Sequence, residues 1–189
     1  MNPQIGSLLN QALEALRNSS LEMAEFYLKE ALKLESNNPH TLRLLGVVEA
    51  QRAEYQKAIA FFSASITALP ENPVAHSNLG NVYVRLRQFD QALSAYEQAA
   101  SLDPNDAETW SNAGIVFFEL KRFEESIGLY DKALAIDPNF NLAREYLGEG
   151  YLAAGRVDLA MNQLAEIARS CGVTCEEYKE LNAAITTAH

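Results

Sequence analysis

The chain has 189 residues, 48% of them hydrophobic and 21% charged, which is too apolar for a disordered acidic polymer and long enough to bury a core. Its formal net charge of −10 argues against nonspecific nucleic-acid binding, which draws its affinity from Lys and Arg neutralising phosphates, and against an anionic membrane surface. No apolar run reaches the roughly 18 residues that read as a membrane span, and Met1 to Asn10 lacks the basic start and apolar stretch of a signal peptide. A cytoplasmic location is expected, or an exported or periplasmic one if a leader has been removed.

In chain order, a tail at 1–4 is followed by self-similar units at 5–38, 39–72, 73–106, 107–140 and 141–174, with 175–189 as a closing helix. The third unit, PVAHSNLGNVYVRLRQFDQALSAYEQAASLDPND, and the fourth, AETWSNAGIVFFELKRFEESIGLYDKALAIDPNF, superpose without a gap. Apolar residues recur at spacings of three and four, as in Leu79, Val82, Tyr83 and Leu86 and then Phe89, Ala92, Leu93 and Tyr96, which predicts two helices per unit. Pro70, Pro104 and Pro138 stop the preceding helix, since proline lacks an N–H and its ring clashes with the previous turn. Nearby Asn or Asp residues can cap the next helix. Strand signals are absent.

Two columns of small residues recur at the same period: Ala12, Gly46, Gly80, Gly114 and Gly148, and Ala24, Ala58, Ala92, Ser126 and Ala160. Bulky residues face them at Leu28, Phe62, Tyr96, Tyr130 and Leu164, and at Leu21, Tyr55, Phe89, Phe123 and Val157. Small against large predicts interdigitated helices. The end units depart from the pattern: Ser36 and Gly172 replace proline, and Ile167 stands where Ala31, Ser65, Ala99 and Ala133 are small. Thr174 and Glu177 form a capping-box pattern that opens a last helix through about Ala188, able to lay Tyr178, Leu181 and Ile185 over the end of the stack.

This pattern resembles the tetratricopeptide repeat family over residues 5–174. The resemblance implies an all-α, right-handed solenoid of antiparallel helix pairs whose concave face, lined by the first helix of each pair, holds a protein or peptide partner. Residues one or two places from the buried columns are then expected to face that groove: Leu9, Asn10, Leu13, Arg17, Arg43, Leu44, Val47, Ser77, Asn78, Asn81, Arg85, Ser111, Asn112, Ile115, Glu119, Glu145, Tyr146 and Glu149. Asn10, Asn78 and Asn112 share one column, interrupted by Leu44 and Tyr146, and resemble the asparagine ladder of glycosyltransferase repeat arms. A side-chain amide offers a donor and an acceptor to a peptide backbone. Arg17, Arg43 and Arg85 fall in the N-terminal half, and Glu108, Glu119, Glu145 and Glu149 in the C-terminal half, with Phe118 and Tyr146 as aromatic anchors. The Lys and Asn clamp that binds chaperone C-termini is not expected, because Leu9, Leu13, Arg43 and Val47 occupy its places.

No catalytic constellation, metal site or cofactor is expected. His40, His76 and His189 are far apart in sequence, and His76 shares a repeat packing position with Trp110, which reads as core. Cys171 and Cys175 flank Gly172-Val173-Thr174, where a disulfide is sterically allowed; a reducing cytoplasm leaves two half-buried thiols instead. The main reading is a protein-interaction module or scaffold. The alternatives are the substrate-recruiting arm of a larger enzyme such as a glycosyltransferase, and a self-assembling repeat protein that forms homo-oligomers. The closing helix suggests a complete unit.

Overall fold

The computed structural model describes residues 2–187, which form eleven α-helices and, among these residues, no strand. They are α1 (Pro3–Arg17), α2 (Leu21–Leu34), α3 (Pro39–Gln51), α4 (Tyr55–Ala68), α5 (Pro73–Arg85), α6 (Phe89–Leu102), α7 (Ala107–Glu119), α8 (Phe123–Ile136), α9 (Asn141–Ala153), α10 (Val157–Ser170) and α11 (Glu176–Thr187). Two compact units contain them, Met1–Leu102 with α1 to α6 and Asp103–His189 with α7 to α11. Within each unit consecutive helices pack as pairs, α1 with α2, α3 with α4 and α5 with α6, then α7 with α8 and α9 with α10.

The caps explain the boundaries. Pro3, Pro39 and Pro73 open α1, α3 and α5 at positions where an N–H would have no intrahelical partner. The Asn38 carboxamide accepts from the Thr41 N–H at 3.0 Å, and Asp106 accepts from the Glu108 N–H at 3.2 Å. The first helix of every pair ends in a left-handed residue, Ser19, Ala53, Arg87 and Lys121 at φ between 55° and 59° and Gly155 at 76°, spaced by the repeat period. Each is held by two reversed hydrogen bonds. In the second pair, the Ala53 N–H donates to the Ala50 carbonyl at 3.0 Å and the Glu54 N–H to the Glu49 carbonyl at 2.9 Å.

Only the fifth pair places glycine at this left-handed position. For the other residues that conformation costs about 1–2 kcal/mol, partly offset because glycine loses more entropy on folding. Ala53→Gly and Lys121→Gly are therefore expected to raise stability by up to about 1 kcal/mol each, and Gly155→Ala to lower it, read as shifts of the urea midpoint with unchanged slope. Open space surrounds the Cβ position of Gly155, so its loss would report backbone strain alone.

Packing follows the small and large columns in four of the five pairs. Ala24, Ala58, Ala92, Ser126 and Ala160 are fully buried, as are Leu28, Phe62, Tyr96 and Tyr130. A Cβ added at Gly46, Gly80 or Gly114 would lie 2.6 Å from the ring of Phe62, Tyr96 or Tyr130 respectively. The fifth pair differs. Gly148 lies against Leu181 of α11, 2.5 Å from Cδ2 to the Cβ position, and Leu164 is only half-buried. α9 packs against both α10 and α11, so the last helix supplies the bulky side chain that the pair's own second helix supplies elsewhere. Ile167, Leu181 and Ile185 are buried there, with Tyr178 packed beside them.

α11 begins at Glu176, so Thr174 lies ahead of the helix rather than at its cap, and the expected end at Ala188 and His189 lie outside the described residues. The turn before it contains a disulfide between Cys171 and Cys175, with Cα atoms 6.0 Å apart, instead of two thiols. Gly172, left-handed at φ 87°, turns the chain back there. A second feature escaped the sequence: Arg52 reaches Glu25 of α2 at 2.7 Å and Glu49 of its own helix end at 3.6 Å. Hydrogen bonds from Lys29 and then from Arg52 hold the Glu25 carboxyl below the ordinary range.

Candidate functional site

α3 and α5 of the first unit face a recess of about 400 Å³. Val47, Ala50 and Gln51 line it from α3, and Asn78, Asn81, Val82 and Arg85 from α5, together with Tyr55 and Phe62 of α4. Spacings of three and four put these residues on one face of each helix. The wall is therefore mixed, with three carboxamides, Gln51, Asn78 and Asn81, and a guanidinium set among apolar side chains. Asn81 is anchored, since the Tyr96 hydroxyl donates to its Oδ1 at 2.6 Å, leaving the amide NH₂ as its donor. Tyr96 is also the ring over Gly80, so the helix crossing and the recess share one chain of contacts.

The remaining expected groove residues divide. In the first unit Asn10 and Arg17 on α1 are exposed, and Arg43 is half-buried, its pKa lowered by that burial. Leu9 and Leu44 are 7% and 3% exposed and belong to the core with Ile5 and Leu45, so neither faces a groove. Ser77 and Ser111, at 8% and 2%, are also inside. Arg43, Ser77, Ser111 and Glu145 occupy one column of the repeat, and three of the four are buried. The column turns inward, which the two serines tolerate because they are small and can bond to backbone. Gln51 and Ala50 were missed because a polar or small residue in a helix carries no signal of its own.

In the second unit Asn112, Phe118, Tyr146 and Glu149 are half-buried and Glu119 is exposed. Phe118 packs edge-on against Phe123 at 5.5 Å, within its own helix pair, and Tyr146 lies 5.9 Å from Tyr130 in a tilted pair. Glu145 is 7% exposed. Burial first, then the charges of Glu149, Glu177, Glu180 and Glu176, push its carboxyl up to about 7. Burial and Glu180 raise Glu149 as well.

His76 is not core. It is half-buried, and its Nε2 lies 3.0 Å from the Pro70 carbonyl oxygen. One and two periods on, Trp110 Nε1 donates to the Pro104 carbonyl at 3.0 Å and Arg144 to that of Pro138 at 2.7 Å. The position ties each helix start to the loop before it, so a polar tip is what the repeat selects. His40 is exposed. Ligand atoms of Cys171, Cys175 and Glu177 lie within 4.8 Å of one another, but the two sulfurs are bonded to each other. Among the described residues no helix is long and apolar enough to cross a membrane.

The tetratricopeptide repeat profile matches residues 9–73 and 77–141. The chain belongs to the tetratricopeptide repeat family. Its all-α architecture of tandem helix pairs is that of tetratricopeptide solenoids, a fold used generally for protein interaction. TTC0263 of Thermus thermophilus, a thermophilic tetratricopeptide protein, is 22% identical with a TM-score of 0.79, over 97% of this chain and 98% of that one. PilF of Pseudomonas aeruginosa is 15% identical with a TM-score of 0.85, over 99% of this chain and 89% of that one. YrrB, a tetratricopeptide protein with an unusual peptide-binding site, is 23% identical with a TM-score of 0.68, over 93% and 89%. No curated protein sequence matches the chain.

Proposed function

We propose that the chain is a peptide-binding interaction module, and that the recess between α3 and α5 holds an extended segment of a protein partner. The observation that carries this is the composition of the recess: Asn78, Asn81 and Arg85 set among Val47, Ala50, Val82 and Phe62. Carboxamides can satisfy the backbone N–H and C=O of a peptide without selecting its side chains. The fold hosts a peptide-binding site in YrrB, so the architecture admits one.

Selection from a random phage-displayed peptide library tests this. Peptides enriched on the wild-type chain are expected to bind Asn78→Ala and Arg85→Ala roughly tenfold more weakly each, the loss of about one charge-assisted or paired hydrogen bond. Asn81→Ala is the poorer probe, because it also removes the partner of the Tyr96 hydroxyl. Undiminished binding to both variants by every enriched peptide would remove the recess from consideration.

A further inference from the structure

The turn between α10 and α11 gathers three metal-ligating side chains within a few residues. Cys171 follows the last turn of α10 and Cys175 immediately precedes α11, with the left-handed Gly172 reversing the chain between them. The two sulfurs and a carboxylate oxygen of Glu177 lie within 4.8 Å of one another, and among the described residues no other three His, Cys, Asp or Glu side chains are gathered so closely. Glu177 is not committed elsewhere: Lys179 takes its neighbour Glu176 at 3.6 Å, and among the described residues no cation pairs with Glu177. The Cys175 carbonyl accepts from the Lys179 N–H at 3.3 Å, so Cys175 stands at the N-terminal end of α11, where a helix favours negative charge.

The disulfide closes this group, because a sulfur bonded to sulfur has no thiolate to offer a metal. Reduction opens it. A dithiol that reduces the bond passes its two hydrogens to the Cys171 and Cys175 sulfurs and becomes a disulfide itself. The carbonyls of Ile167 and Gly172, 3.5 Å from Cys171 Sγ and 3.2 Å from Cys175 Sγ, can then accept from the two thiols. A divalent ion displaces both protons into solvent and takes the sulfurs as thiolates. Two thiolates on one zinc ion stand about 3.8 Å apart, given a Zn–S length of about 2.3 Å and tetrahedral geometry. The Cα separation of 6.0 Å permits that spacing, and Cys171 is exposed, so its side chain can turn outward without disturbing the core.

The donor set selects the ion. Two thiolates are soft ligands that favour zinc over magnesium or calcium, and one carboxylate completes three protein ligands, leaving the fourth position to water. We propose that reduction of the Cys171–Cys175 disulfide converts this turn into a zinc site with Cys171, Cys175 and Glu177 as its ligands. Zinc then pins α10 to α11 in the reduced chain, as the disulfide does in the oxidised one. The pin matters because α11 closes the stack: Leu181 fills the space over Gly148, and Ile185 is buried in the same cluster. This inference does not rest on the first-unit recess.

Cobalt, which takes zinc sites and reports thiolate ligation by a charge-transfer band in the near ultraviolet, tests this on the full chain. The chain is reduced with a water-soluble phosphine, which leaves as its oxide, and desalted without oxygen. Reduced wild type is expected to bind one equivalent of cobalt with that band, zinc is expected to displace it, and the oxidised chain is expected to show no band. Cys171→Ser and Cys175→Ser should each weaken cobalt at least about a hundredfold, and Glu177→Gln at least about tenfold. Glu176→Gln removes an equal charge from the adjacent residue and should change affinity less than about twofold. No band in reduced wild type would overturn the site, and that comparison needs no variant. Half an equivalent would mean one ion shared by two chains and would overturn it as well. Equal weakening by Glu176→Gln and Glu177→Gln would remove the carboxylate from the ligand set, and with it the three-ligand site.

Discussion

Phe62→Ala is expected to destabilise the first unit by about 3–5 kcal/mol, the cost of emptying a well-packed aromatic site. Phe62 is 1% exposed and its ring fills the space above Gly46. The glycine has no side chain to relax into the vacancy, so the cavity would stay open on that side. Chemical denaturation should show the midpoint falling. Phe26→Ala is the matched control: that ring is 54% exposed and its loss should cost less than about 1 kcal/mol. Similar losses for the two phenylalanines would mean that Phe62 is not the residue bridging its helix pair.

The reciprocal experiment fills the small position. Gly114→Ala would place a methyl 2.6 Å from Tyr130 Cε1, and Tyr130 is 1% exposed with Tyr146 tilted against it at 5.9 Å. The ring has little room to yield, so the substitution should cost about 1–3 kcal/mol despite alanine's better helix propensity. Gly148→Ala should cost less, because it meets the methyl ends of Leu181, a flexible side chain. Gly128 in α8 has nothing within 4 Å of its Cβ position, so Gly128→Ala should stabilise by roughly 0.5–1 kcal/mol. Thermal melting of the three variants should rank them in that order. A stabilising Gly114→Ala would contradict the small-against-large packing of the fourth pair.

These glycines show how much of the fold was legible from the sequence. Gly46, Gly80 and Gly114 each lie 16 residues before the ring they meet, and that fixed offset is visible because the chain repeats it. Gly148 broke the rule, since its neighbour Leu181 lies beyond the last repeat, where no period predicts contacts. The left-handed caps at Ser19, Ala53, Arg87 and Lys121 were illegible for a different reason: the usual marker, glycine, is missing from four of five. The Arg52 to Glu25 bond joins residues with no shared column, and ion pairs leave no periodic trace.

The candidate surface was legible only in outline. Helical spacing placed Asn78, Asn81 and Arg85 on one face of α5, and the recess is lined by all three. It could not separate the open column from the inward one next to it, a rotation of about 100° per residue, so Ser77, Ser111 and Leu9 were placed outside when they are buried, and Leu44 is buried within the asparagine column itself. Glu145 belongs to that same inward column, and its burial gives a surface-looking acid its unusual environment.

The most direct test of the interaction role is an amide chemical-shift map of the labelled full chain with a library-selected peptide. The recess between α3 and α5 predicts that the largest saturable shifts fall on Val47, Gln51, Asn78, Asn81 and Arg85, including the Asn78 side-chain NH₂, and that Asn78→Ala moves their saturation to about tenfold higher peptide concentration. Saturable shifts confined to α2, α4 and α6, with those five residues unmoved, would contradict it.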